Sequence, residues 1–190
     1  WLALWVCAAL LPRAAALSAA AAVTMDADTG ETLFAENADS RLPMASTTKI
    51  MTALVALGEG DLDRVYTVKK QYAAVEGSSM YLEEGERLTL RDTLYGLMLS
   101  SGNDAAAAVA GECGGERAFV DKMNAKAREL GLTDTRFENP SGLPSDGHYT
   151  TARELAKITA AALRDPVFRD IVSTKTCTAA GRTLVNHNRL

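Results

Sequence analysis

Ser46 and Lys49 stand three residues apart in the stretch Pro43-Met44-Ala45-Ser46-Thr47-Thr48-Lys49-Ile50-Met51. On a helix such a pair shares one face, so the spacing sets a hydroxyl beside an amine that can take its proton once that amine is neutral. A serine in the first helical turn also lies at the positive end of the helix dipole, which favours a developing alkoxide. Ser-x-x-Lys is nonetheless short and common, and alone it reads as a helix cap followed by a solvated charge. Two other segments present hydroxyl and amide groups together: Ser101-Gly102-Asn103, and Asn139-Pro140-Ser141-Gly142-Leu143 followed by His148-Tyr149-Thr150-Thr151. Taken singly, these too are ordinary turn and cap chemistry.

The elements that must carry these residues can be read from periodicity and punctuation. After Lys49 the residues Ile50, Met51, Ala53, Leu54, Val55 and Leu57 are apolar nearly all round, which predicts a buried helix stopped by Gly58. Thr89-Leu90-Arg91-Asp92 forms a capping box opening a helix with Leu90, Leu94, Leu97 and Met98 on its apolar face. Gly102 breaks that helix, and Asn103 is expected to cap the next one, rich in alanine, up to Glu112. An amphipathic helix follows over 116–130. Thr151-Ala152-Arg153-Glu154 opens another as a capping box, and Asp165-Pro166 a short one. Strands are expected over 22–26 and 31–35 around a turn at Gly30, and over 174–178 and 182–186 around Gly181. Within the first turn, Asp26, Asp28 and Gly30 resemble a calcium loop and Asp28-Thr29-Gly30 an aspartic-protease loop, but the strand flanks and Glu31 favour a plain turn. Strands at both ends with helices between them predict an α+β domain whose termini share one antiparallel sheet.

Composition narrows the function classes. The chain has 190 residues, 47% hydrophobic and 23% charged, with a net charge of −4, as expected of a folded domain with no nucleic-acid partner. The two histidines, His148 and His187, are far apart, and no Cys/His cluster has metal-ligand spacing, so neither a metal nor another cofactor is expected. Residues 1–11 are almost wholly apolar and are followed by Arg13 and small residues, which predicts a signal peptide over 1–19 lacking its start, with the functional domain over 20–190. Export would remove Cys7 and leave Cys113 and Cys177, which an oxidising compartment could pair or which could stay buried thiols, the unpaired reading being favoured.

Taken together, Ser46-Thr47-Thr48-Lys49, Ser101-Gly102-Asn103, Gly77-Ser78-Ser79-Met80 and the Asn139 to Thr151 loop resemble the D-alanyl-D-alanine carboxypeptidases, the low-molecular-mass penicillin-binding proteins, from about Ala22 to Leu190. The resemblance implies a β-lactamase/transpeptidase-like fold and a serine peptidase that is exported to the periplasm or another extracytoplasmic space. It would act on peptidoglycan stem peptides ending in D-Ala-D-Ala and be acylated by β-lactam antibiotics, without a cofactor. It implies Ser46 as nucleophile, Lys49 as base, Ser101 as proton relay to the leaving amine and Asn103 as a substrate-binding residue. The Ser46 backbone N–H would form half of the oxyanion hole. One departure stands out: the family's Lys-Thr-Gly strand motif is missing. Lys175-Thr176-Cys177 lacks the glycine and precedes the Asn-x-Asn-x-Leu segment at 186–190, after which the motif falls in the family. The chain is therefore expected to stop short of that motif and, by itself, to be inactive, any membrane association being left to a region beyond Leu190. Two rivals are a class A β-lactamase, which would want Ser-Asp-Asn and a deacylating Glu, and a non-catalytic cell-wall-binding fragment of the same fold, which would not need Ser46, Lys49, Ser101 and Asn103 intact.

Overall fold

The structure is a computed structural model that describes residues 19–188; nearly all of the expected signal peptide, with Cys7, lies outside the described residues. The helix predicted to be buried is the hub of the molecule. It runs as α1 over Thr48–Leu57, and Met51, Ala53 and Ala56 have no exposed surface. Around it pack α3 (Leu90–Leu99), α4 (Asn103–Glu112), α5 (Glu116–Glu129), α6 (Ala152–Ala162) and α7 (Pro166–Ser173). Such an all-round apolar sequence folds as a helix only when every face finds a partner.

Close packing around α1 depends on small residues. Ala105, Ala106, Ala108 and Ala110 of α4 are all fully buried, and the Tyr72 ring of the short helix α2 (Lys70–Ala73) lies where a Cβ on Gly111 would fall. Helix starts follow the sequence. Thr89 accepts the Asp92 N–H while the Asp92 carboxylate accepts the Thr89 N–H, a complete capping box. Replacing Thr89 by alanine is expected to cost about 1 kcal/mol, measurable as a lowered urea midpoint at unchanged slope. At α6 only half of the expected box forms. Thr151 caps Glu154, but the Glu154 carboxylate instead accepts the Thr133 and Asp134 N–H groups and the Thr135 hydroxyl.

The sheet prediction needs correction. Strands β1 (Ala22–Met25) and β2 (Thr32–Glu36) pair antiparallel, β5 (Thr176–Ala179) pairs β6 (Arg182–Val185), and the two hairpins belong to separate sheets. The first packs on α6 and the second on α3, so the helices between them keep the terminal strands apart. A third pair, β3 (Val65–Thr67) with β4 (Arg87–Thr89), was not foreseen. In the β1–β2 turn, Asp26 Oδ1 accepts the N–H groups of Asp28 and Thr29 and the Thr29 hydroxyl, the local bonding of a plain turn. Cys113 and Cys177 are both free thiols.

Candidate active site

Ser46, expected in the first turn of the helix, lies instead in a 3₁₀ turn (Ala45–Thr47) that runs directly into α1. Met44 is buried beneath the turn, while Ser46 itself is exposed and open to a ligand. Lys49 is the opposite of the solvated charge that its sequence alone suggests, being only 2% exposed. Its Nζ lies 3.3 Å from Ser46 Oγ, 2.9 Å from Asn103 Oδ1 and 2.7 Å from the Ser141 carbonyl oxygen. Burial lowers the Lys49 pKa from 10.5 to about 8, against the opposing pull of the Asp104 carboxylate.

The three partners of Nζ differ chemically. An ammonium donates to all three. A neutral amine keeps two hydrogens and gains a lone pair. Asn103 Oδ1 and the Ser141 carbonyl can only accept, so they retain the two hydrogens, and the lone pair is left for Ser46, the one partner that can itself donate. Deprotonation of Lys49 thus turns the Ser46 hydroxyl proton toward Nζ.

Asn103 begins α4 but does not cap it; Gly102 occupies the cap position, and no side chain caps the helix. The Asn103 amide is instead turned inward, Oδ1 toward Lys49 and Nδ2 donating to the Glu76 carbonyl at 2.8 Å, which leaves one amide hydrogen for a further acceptor. Asp104 beside it accepts the Ser79 hydroxyl and the N–H groups of Met80 and Leu82, fixing the 76–82 loop against the start of α4. Ser101 sits in the α3–α4 turn with φ 54°, a left-handed conformation that is costly for a non-glycine residue and often found at functional sites. Among the described residues its hydroxyl has no hydrogen-bond partner, and no bond joins it to Ser46 or Lys49.

The 139–149 loop completes the site. Thr52 Oγ1 donates to the Pro140 carbonyl at 2.6 Å, Lys49 holds the Ser141 carbonyl, and Thr48 Oγ1 lies 2.7 Å from His148 Nε2. Gly142, at φ 88°, passes so close to the turn before Ser46 that an added Cβ would fall 1.8 Å from the Ala45 carbonyl oxygen.

A family model described as D-alanyl-D-alanine carboxypeptidase matches residues 8–190. The chain belongs to that family. A D-alanyl-D-alanine carboxypeptidase of Bacillus subtilis is 45% identical over 145 residues, covering 73% of this chain and 37% of the relative. One from a Streptomyces strain is 39% identical over 176 residues, covering 86% of this chain and 60% of the relative. The chain thus spans about half the length of the curated relatives it matches. A solved structure of a serine-to-alanine mutant of a Streptomyces DD-transpeptidase superposes with a TM-score of 0.86 at 38% identity, covering 90% of this chain and 74% of that one. The transpeptidase-like α+β fold expected from the sequence is therefore correct.

In this member of the D-alanyl-D-alanine carboxypeptidase family, the fold brings three of the residues singled out from the sequence, Ser46, Lys49 and Asn103, into one bonded group, and the fourth, Ser101, to the neighbouring turn. Sequence reasoning passed over Thr48 and the Ser141 carbonyl, because a backbone acceptor leaves no mark in residue types. Gly142, flanked by residues of the Asn-Pro-Ser-Gly-Leu run, was the available signal for a close backbone approach. Gly142→Ala is expected to destabilise the protein by about 1–3 kcal/mol through overpacking and left-handed strain, with a correspondingly lowered urea midpoint.

Proposed function

We propose that the protein is a serine-type D-Ala-D-Ala carboxypeptidase that acts outside the cytoplasm on peptidoglycan stem peptides. Neutral Lys49 takes the Ser46 proton as Oγ attacks the penultimate D-Ala carbonyl. The C–N bond to the terminal D-Ala then breaks, and Ser101 passes the proton to the leaving amine. Water hydrolyses the ester and restores Ser46. The remaining Asn103 amide hydrogen is available for a substrate carbonyl. β-Lactams would acylate the same oxygen. One observation carries this reading: a buried lysine held by two fixed acceptors, with the nucleophile's hydroxyl as its third partner.

A β-lactamase would need a carboxylate free to activate the deacylating water. Glu138, the acidic residue that directly precedes Asn139 in the adjacent loop, is taken up by the Ser145 hydroxyl, the Gly147 N–H and an ion pair with Arg136. Among the described residues no helix is long and apolar enough to cross a membrane.

In protein expressed from its full gene, a labelled penicillin should attach to the proteolytic peptide that contains Ser46, and a peptide ending in D-Ala-D-Ala should release D-Ala. An adduct elsewhere would refute the nucleophile. Rapid turnover of a chromogenic cephalosporin would favour the β-lactamase.

A further inference from the structure

His148 is buried, 5% exposed, and both its ring nitrogens are engaged. Nδ1 accepts the Glu138 backbone N–H at 3.0 Å, so it cannot carry a hydrogen. The proton of the neutral ring is therefore on Nε2, which donates to Thr48 Oγ1 at 2.7 Å. Thr48 is the first residue of α1, next to Lys49, and His148 lies at the far end of the loop that brings the Ser141 carbonyl to Lys49 Nζ. The imidazole thus ties the two ends of the base's surroundings together. Phe137 meets the ring edge-on at 5.8 Å and fixes its plane.

We propose that His148 is a positioning residue: as the neutral Nε2–H imidazole it clamps the loop carrying the Ser141 carbonyl onto the helix carrying Lys49, and its protonation releases that clamp. This rests on the reading of Ser46 and Lys49 as nucleophile and base. A proton on Nδ1 would face the Glu138 N–H across the same short contact, so the ring cannot charge without leaving its place. The charged and titratable groups around it are Glu138, paired with Arg136, then Arg41, Asp146 and Tyr149, which line the same cavity of about 500 Å³, and Lys49 beyond Thr48. Burial pushes the His148 pKa below its usual 6.5, and the Glu138 charge opposes this without reversing it. At neutral pH the clamp is closed. Releasing it would admit water to Lys49 Nζ and remove the burial that keeps the amine readily neutral.

The test uses Thr48→Val, which replaces the hydroxyl acceptor by a methyl of similar shape, Thr48→Ser, which keeps it, and His148→Asn, which removes the titrating ring. Histidine side-chain NMR should show the Nε2–H tautomer in the wild type. Thr48→Val should raise the Lys49 pKa, read from its side-chain NMR shifts, by about one unit, and slow Ser46 acylation by a labelled penicillin about tenfold at pH 7. Thr48→Ser should restore both. Below the His148 pKa the wild-type acylation rate should fall by up to about tenfold more than the loss of neutral Lys49 alone accounts for, whereas His148→Asn should follow the Lys49 titration alone, with a slope of one per pH unit. An Nδ1–H tautomer, or a Thr48→Val protein with unchanged Lys49 pKa and acylation, would overturn the clamp while leaving the proposed activity standing. A shifted Lys49 pKa in a protein that penicillin never labels at Ser46 would uphold the clamp and overturn the activity.

Discussion

Replacing Lys49 by alanine is expected to slow acylation of Ser46 by about 10²–10⁴, the range for loss of a positioned general base. The change removes the one group within reach of the Ser46 proton: Nζ lies 3.3 Å from Oγ, and no other side chain hydrogen-bonds that hydroxyl among the described residues. Penicillin labelling measured under single-turnover conditions isolates this step from deacylation. The helix itself should survive, since Lys49 contributes no cap to α1 and its backbone bonds do not depend on the side chain. Far-UV circular dichroism should therefore match the wild type. Acylation at the wild-type rate in a folded Lys49→Ala protein would reduce Lys49 to a structural ion and leave the proposed mechanism without its base.

What the sequence made legible was local. The apolar run after Lys49 announced a helix surrounded by protein, and the Thr89–Asp92 box and the Asp165-Pro166 start are realised bond for bond. Each of these rests on residues within one or two turns, where spacing alone fixes geometry. The site's remaining parts are assembled across long separations. The Ser141 carbonyl reaches Lys49 from 92 residues away, and His148 reaches Thr48 from 100. No periodicity encodes which loop packs on which helix. Asn103 shows the same limit at one residue: its type and position suit a helix cap, but burial against Lys49 and the Glu76 carbonyl outbid the local bond. The terminal hairpins misled in the same way, since alternation announces a strand without naming the sheet that it joins.

Acylation should also fall steeply in mild acid. Only neutral Lys49 can accept the Ser46 proton, and with a pKa of about 8 the neutral fraction at pH 6 is about one in a hundred, so the rate at pH 6 should be roughly a hundredfold below its alkaline plateau. A lysine left at its ordinary 10.5 would still be climbing at pH 9, so the position of the plateau separates a depressed amine from an ordinary one. The same shift has a signature in stability that needs no substrate. Burial disfavours the charged amine in the folded protein, so the folded state holds the Lys49 proton less tightly than the unfolded chain does. Below pH 8 both states are protonated and the folded protein carries the full cost. Between pH 8 and 10.5 the unfolded chain keeps a proton that the folded protein has released, so stability rises with pH across that window, by about 3 kcal/mol in all. Lys49→Met removes the titrating group with little change of volume. The difference between the urea-unfolding free energies of the wild type and Lys49→Met, followed from pH 7 to 10.5, should therefore move in favour of the wild type as pH rises. A flat difference would mean that Lys49 keeps an ordinary pKa in the folded protein, and the argument for it as a base poised near neutrality would fail.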